Sequence, residues 1–342
     1  MEPHIIQLPR IVLIGKGAIE KISDVCEKLN LIKNPLILVD LNTKKIVGDK
    51  IKDLLFDFNP KLEIVSEASP EEVKKLELIE NVNFVLGVGG GKVIDVGKLL
   101  AFRKGVPFIS VPTAPSHDGI VSSKVSLKSK GKLYSFKVET PTAIIADIEI
   151  LINAPYKLIA SGCGDVIAKY TSVYDWKLAK EKGEYYSEYA AELALLSAKI
   201  VSKSAKLIRN KKERGIRNLV QALISSGISM SLAGSSRPAS GSEHMFSHAL
   251  DSLGSNALHG EQCGVGTILM SYLQGQNWEK IRNLLKLIGA PTNAKELNVS
   301  NKMIIEALLK AKDVRKRYTI LNINPLNKEK AIKISKETKV IE

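Results

Sequence analysis

Over the first 150 residues, short apolar runs alternate with longer segments whose apolar positions fall three and four apart. The runs at 10–14, 36–39, 62–65, 84–88, 108–111 and 143–146 predict buried strands, and the segments 19–29, 42–58 and 93–102 predict helices. Ser69-Pro70-Glu71-Glu72 opens a further helix with a capping side chain, an early proline and an acidic first turn. Strands that alternate with helices predict a parallel sheet with helices on both faces, since parallel neighbours need a crossover. Residues 122–136 alternate polar and apolar positions about Lys130-Gly131 and predict a hairpin.

Beyond about residue 150 the pattern changes. Ala- and Leu-rich segments at 164–179, 187–208, 214–232, 244–253, 261–275, 278–288, 301–314 and 328–334 all carry helical periodicity. The predicted fold is an α/β N-terminal domain (1–152) with a Rossmann-like parallel sheet, followed by an all-α C-terminal domain (153–342). The cleft between two such halves is the expected place for a ligand.

Composition narrows the function classes. The 342 residues are 44% hydrophobic and 25% charged, an ordinary globular balance. No apolar run approaches the roughly 20 residues of a membrane span, which argues against integral membrane contact. The opening MEPHIIQLPR lacks a secretory core, so the expected location is the cytoplasm. Three scattered cysteines without a CxxC suggest neither a disulfide framework nor a cysteine-zinc site. The net charge of +14 is spread along the chain, with its densest clusters at 209–214 and at Arg315-Lys316-Arg317. Without zinc-finger spacing or a basic strand studded with aromatics, it favours anionic small molecules over nucleic acid.

Two constellations carry candidate chemistry. FVLGVGGGKVIDVGK reads as strand, glycine-rich turn and helix. The three consecutive glycines let backbone approach a pyrophosphate, and the helix offers unpaired N–H groups. Asp40, at the end of an earlier strand, is placed to accept from ribose hydroxyls. Thr113, Ala114, Pro115, Ser116 and Asp118 follow another strand, in a loop denser in hydroxyls than a turn requires. The second constellation is Asp165 with three of the chain's five histidines, His244, His248 and His259, which fall within sixteen residues. One carboxylate and two imidazoles suit a catalytic zinc with an open fourth position. Asp165 is read as the start of a helix. His244 and His248 share a helix face, and spacing leaves open which two of the three histidines bind.

GGGKVIDVGK, VPTAPSHDGIVS, GCGDVIAK, GSSRPASGSEHMFSHAL and HGEQCGVG together resemble the superfamily of glycerol dehydrogenases, iron-type alcohol dehydrogenases and dehydroquinate synthases. RPASGSEH followed by HGEQ is most similar to its sn-glycerol-1-phosphate dehydrogenase branch, which serves archaeal lipid synthesis. The resemblance implies a dehydroquinate-synthase-like two-domain architecture, a homo-oligomer, one zinc per subunit and NADH or NADPH. It implies reduction of dihydroxyacetone phosphate to sn-glycerol 1-phosphate, with zinc polarising the carbonyl. Gly89, Gly90, Gly91, Lys92 and Val93 would meet the pyrophosphate, and Thr113–Ser116 with Ser122 would line the dinucleotide. Asp165, His244 and His259 would hold zinc, while Asp118, Asp165 and His248 would serve substrate and catalysis. One position departs from the iron-type pattern: Lys169 stands where those enzymes carry a histidine, which favours zinc over a four-ligand iron site. The alternatives are a dehydrogenase of unphosphorylated polyols and a dehydroquinate-synthase-like lyase. No cation is assigned to the substrate phosphate, with Arg237, Lys124 and Lys137 the nearest in sequence.

Overall fold

The computed structural model of the chain describes residues 5–129 and 132–342. Two compact units emerge, residues 5–115 with 119–155, and residues 116–118 with 156–342.

The first unit carries eight strands: β1 (Ile11–Gly15), β2 (Pro35–Val39), β3 (Lys61–Ile64), β4 (Phe84–Gly89), β5 (Phe108–Pro112), β6 (Lys124–Ser129), β7 (Lys132–Lys137) and β8 (Ala143–Asp147). Six of them form one parallel sheet in the order β1-β8-β5-β4-β2-β3. The middle strands β2, β4, β5 and β8 are buried along their whole length, which explains why they read as continuous apolar runs rather than alternating ones. Ile37, Val39, Leu86, Val88, Ile109 and Val111 join Ile22 and Val25 in the core on one face. The chain runs outward from β2 to β3, then returns to β4 and continues the other way through β5 and β8. This reversal between β2 and β4 is a topological switch point, where sheets of this type receive ligands.

The expected helix over 42–58 is instead three short pieces, Leu41–Thr43, Asp49–Leu54 and Phe56–Phe58, with a wider turn at Lys44–Gly48. Gly48 lies so close to β2 that a Cβ there would sit 2.7 Å from the Val39 side chain, so local packing against the strand overrides a regular helix. The strands β6 and β7 pair antiparallel, as the alternation predicts; the turn residues Lys130-Gly131 lie outside the described residues. Buried Lys98, from the helix Gly91–Lys104, anchors the segment leading into β6. Its ammonium donates to the carbonyls of Gly119 (2.8 Å), Ser122 (3.2 Å) and Lys124 (2.6 Å) and pairs with Asp95 (3.1 Å).

The second unit is helical. Its longest members, Glu188–Arg209 and Glu213–Ala233, pack on each other, and the segment predicted over 164–179 is two helices, Tyr156–Ile167 and Lys169–Lys180. The first of these runs straight through Gly162 and Gly164. A Cβ at Gly164 would collide with the carbonyl of Gly260, and one at Gly260 with the carbonyl of Ser161. The helices Tyr156–Ile167 and His259–Leu273 therefore cross with backbone against backbone, and tertiary contact outweighs the poor helix propensity of glycine. Among the described residues no helix is long and apolar enough to cross a membrane.

Candidate active site

The register of the sheet aligns Leu38 with Gly87 and Gly89 with Pro112, so β2, β4 and β5 end along one edge. Gly89 closes β4, Gly90 is the extended residue before the helix, and Gly91, Lys92 and Val93 form its first turn. No side chain caps this helix start, and a Cβ on Gly90 would meet nothing within 4 Å. The result is an open hollow floored by glycine and faced by helix N–H groups, which suits a pyrophosphate. Lys92 turns its ammonium to the Ser66 carbonyl, 3.2 Å away, so its share in the hollow is its backbone. Thr113 donates its N–H to the Gly89 carbonyl (3.0 Å), which joins the hydroxyl-rich loop to the glycine turn. Thr113, Ala114, Pro115 and Ser122 are buried. Asp40 caps the short turn after β2, with Oδ1 accepting from the N–H groups of Asn42 (2.9 Å) and Thr43 (2.8 Å). Ser116 belongs to the other unit, where its carbonyl accepts from Ser161 Oγ (3.1 Å).

In the helical unit a group of buried charges is built around Asp165. Contrary to the helix start expected there, Asp165 stands in the last turn of Tyr156–Ile167. A carboxylate at that end opposes the helix dipole, so it needs cationic or N–H partners from elsewhere. The Asp118 N–H donates to Oδ2 (2.8 Å) and the Lys169 ammonium donates to Oδ1 (2.9 Å). Lys169, fully buried, also lies 3.0 Å from Asp118 Oδ2, which accepts from Ser226 Oγ at 2.8 Å. Burial pushes the Asp165 carboxyl up, but Lys169 and then His244 outweigh it and hold the group well below the usual range. Burial likewise opposes the charge on Lys169, and Asp118 and Asp165 more than restore it.

The helix Ser242–Ser252 supplies His244 and His248, and His259 begins the helix His259–Leu273. Glu243, fully buried, takes the Nδ1 side of His244 at 2.8 Å, and also accepts from the Gly241 N–H (2.6 Å) and Thr171 Oγ1 (2.7 Å). His244 therefore presents Nε2 to Asp165, 3.5 Å from Oδ1. The tautomer of His259 follows from its neighbours. Gln262 Nε2 donates to Ser255 Oγ and the Ala257 carbonyl, both at 3.2 Å, leaving its Oε1 to accept from Ser247 Oγ at 2.6 Å. The single hydroxyl proton of Ser247 is then spent, so His259 Nδ1 must donate to it at 3.1 Å, and in the neutral ring Nε2 carries the lone pair. Both imidazoles are thus held by an outer partner on Nδ1, with Nε2 turned to Asp165 in His244 and to Cys263 in His259, the arrangement by which proteins orient metal-binding histidines. With the acidic Asp165 beside them, the donors suit a zinc ion.

Three neighbours enrich this picture. Cys263, one of the three scattered cysteines that suggested no cysteine-zinc site, places Sγ 3.6 Å from His259 Nε2. His244, His259 and Cys263 offer atoms within 4.8 Å of one another, a second possible donor trio. Burial raises the Cys263 thiol, yet His244 and His259 bring it down to about 7. His248 stacks obliquely 5.9 Å from His259, and its buried Nδ1 has no hydrogen-bond partner. Burial, and then the charge of His259, keep it neutral well below 6.5. Arg237 is committed elsewhere, to Glu184 and the Tyr318 carbonyl. Lys169 and Glu243 are the residues the sequence reading missed as members of the site. Lys169 was seen only as a lost ligand, and Glu243 gives a sequence signal only as the acid beside His244.

Residues 13–155 match the family described as iron-containing alcohol dehydrogenase. Among curated relatives, glycerol-1-phosphate dehydrogenase NAD(P)+ of Thermococcus sibiricus is 52% identical over 99% of both chains. Its counterpart in Methanosarcina mazei is 51% identical over 98% of this chain and 96% of its own. Among solved structures, a probable glycerol dehydrogenase from Sinorhizobium meliloti superposes with a TM-score of 0.81 at 18% identity, covering 99% of this chain and 100% of its own. Glycerol dehydrogenase from Schizosaccharomyces pombe gives 0.80 at 20%, covering 100% and 94%. At those identities the structures bear on the fold, which is the two-part fold expected from the sequence. The sequence relatives bear on descent, and on their full-length identity the chain belongs to the glycerol-1-phosphate dehydrogenase family.

Proposed function

We propose that the protein reduces dihydroxyacetone phosphate to sn-glycerol 1-phosphate with NADH or NADPH, and that it holds one zinc through Asp165, His244 and His259. The reading is carried by the full-length identity to enzymes of that name. The Asp165–His244–His259 group, with each imidazole oriented by an outer partner, supports the zinc. When bound, the nicotinamide would supply a hydride and zinc would act as a Lewis acid on the carbonyl.

The chain's own residues have distinct tasks in this reading. The glycine hollow of Gly89–Val93, with Thr113–Pro115 and Ser122, holds the dinucleotide, and Asp40 is placed for the ribose. The chain passes from that loop to Ser116 and Asp118 within a few residues, which ties the cofactor loop to the substrate carboxylate. Lys169 fixes Asp118 and Asp165 relative to each other and neutralises part of their charge. Asp118, pinned by Ser226, orients a substrate hydroxyl. Neutral His248 faces substrate and lies on the proton route to the product oxygen, with Nδ1 making no hydrogen bond. Residues 1–152 serve the dinucleotide, apart from the Ser116–Asp118 segment that groups with the helical unit, and 153–342 serve the metal and substrate. In this reading the work is done in the cytoplasm.

The test is oxidation of NADH and NADPH by absorbance with dihydroxyacetone phosphate, before and after chelation. Turnover that is restored by zinc and yields a product refused by an sn-glycerol 3-phosphate-specific enzyme supports the reading. Activity on glycerol or dihydroxyacetone alone would move the protein to the polyol branch.

A further inference from the structure

The substrate in this reading is a phosphate monoester, and none of the residues assigned so far supplies a free cation for it. Lys169 is spent on Asp118 and Asp165, and Arg237 on Glu184. The segment between the helices Asn301–Ala311 and Ile320–Ile323 carries two further arginines. Arg317 is tethered. Its Nη2 donates to Ser236 Oγ at 2.9 Å and its Nη1 to the Ser240 carbonyl, both in the turn that leads into the His244–His248 helix. Arg315 is half-buried and, among the described residues, has neither hydrogen bond nor ion pair. Both lie close enough to His248 for their charges to act on it, and burial costs each of them.

The local charges do not cancel. Around Arg317 the cations are Arg237 and Arg315, and the anions are Glu184 and Glu243. Glu184 is bound to Arg237, and Glu243 is turned to His244, Gly241 and Thr171. A partly desolvated guanidinium without a counter-charge is costly, and planar arginine forks match phosphate oxygens in pairs. Within reach of its charge stands the His248 imidazole, whose buried Nδ1 makes no hydrogen bond and lies 3.9 Å from Asp251 Oδ2.

We propose that Arg315, with Arg317 holding its segment against the Ser236–Ser240 turn, is the phosphate-binding arm of the substrate site and sets the preference for a phosphorylated over an unphosphorylated triose. The proposal rests on the reading of His248 as substrate-facing. The same monoester chemistry occurs on the adenosine ribose of NADPH, so the experiment separates the two sources.

The experiment uses the zinc-loaded full chain and the variants Arg315→Ala and Arg315→Lys. Arg315 makes no hydrogen bonds, so the alanine variant should fold; an unchanged melting temperature without ligand checks this. Steady-state rates are measured with dihydroxyacetone phosphate and with dihydroxyacetone, and melting temperatures with and without inorganic phosphate. The expected result is a fall of roughly 100-fold in the kcat/KM ratio of phosphorylated to unphosphorylated substrate for R315A, with R315K intermediate, because truncating one partner of a buried charge pair is costly. Stabilisation by inorganic phosphate should disappear with it. An unchanged substrate ratio in R315A overturns the proposal. So does a loss confined to KM for NADPH with NADH untouched, which would give the arginine to the cofactor. If the wild type ignores dihydroxyacetone phosphate, the functional reading fails; phosphate stabilisation that depends on Arg315 would still establish the anion site.

Discussion

The edge of the sheet and the polar heart of the helical unit are built from opposite materials. At the sheet edge recognition is left to backbone: three glycines, a helix start without a side-chain cap, and a Thr113–Gly89 main-chain bond. In the helical unit it is left to buried side chains that satisfy one another: Asp165, Lys169, Asp118, Glu243 and two imidazoles. A backbone site is broken by adding atoms, a side-chain site by removing charge. The two should therefore fail in different ways when substituted.

The largest effect is expected from Asp165→Asn. It removes the charge that opposes Lys169 and two imidazoles, so zinc content by elemental analysis should collapse and turnover should fall roughly 1000-fold or more. NAD(P)H binding, followed by fluorescence titration, should survive; its loss would show that the two sites are not separable. Next comes Glu243→Gln, which keeps the hydrogen-bond geometry but removes the charge behind His244. Zinc affinity by competition with a chelator should weaken by about 10–100-fold, the usual cost of losing an outer partner.

Gly90→Val tests the other material. The space beyond Gly90 is open and its backbone is extended, so stability should shift by less than about 0.5 kcal/mol. The KM for NAD(P)H should rise steeply while zinc content stays put, and an unchanged KM would refute the hollow as a cofactor site. The smallest effect concerns His248. Its folded proton affinity lies below the ordinary 6.5 through burial and then the charge of His259. The unfolded chain therefore takes up a proton that the folded chain refuses. The stability from this group is whole above 6.5 and is lost as pH falls below that value. In His248→Gln, denaturant unfolding at about pH 5 and pH 7.5 should show an acid-side loss smaller by about 1 kcal/mol.

Much of the sheet was legible because its strands are buried on both faces and leave unbroken apolar runs. The glycine turn was legible because three consecutive glycines mark a strand-to-helix turn without side chains. The helical site was legible only in part. Asp165 looked like a helix start because SGCG reads as a breaker, whereas those glycines sit inside a helix where another helix crosses. Lys169 looked like the absence of a ligand, since sequence shows what a residue lacks relative to relatives but not that its ammonium bridges the nearby Asp165 to the remote Asp118. Arg315 and Arg317 were visible as a basic cluster, but the segment is held by contacts 77 and 81 residues apart in the chain, which no local pattern reports.

The crossing at Gly164 and Gly260 lies directly beside both Asp165 and His259. Asp165 and His259 each follow or precede one of these glycines by a single residue, so their separation is set by how closely two peptide chains can touch. Adjusting a rotamer cannot change that spacing by much, whereas one methyl group at either glycine would act as a wedge between the helices. The two missing side chains work as a gauge block. Under the proposed zinc reading, a cation held between these residues would meet a jaw whose width is set by main chain rather than by the ligands themselves.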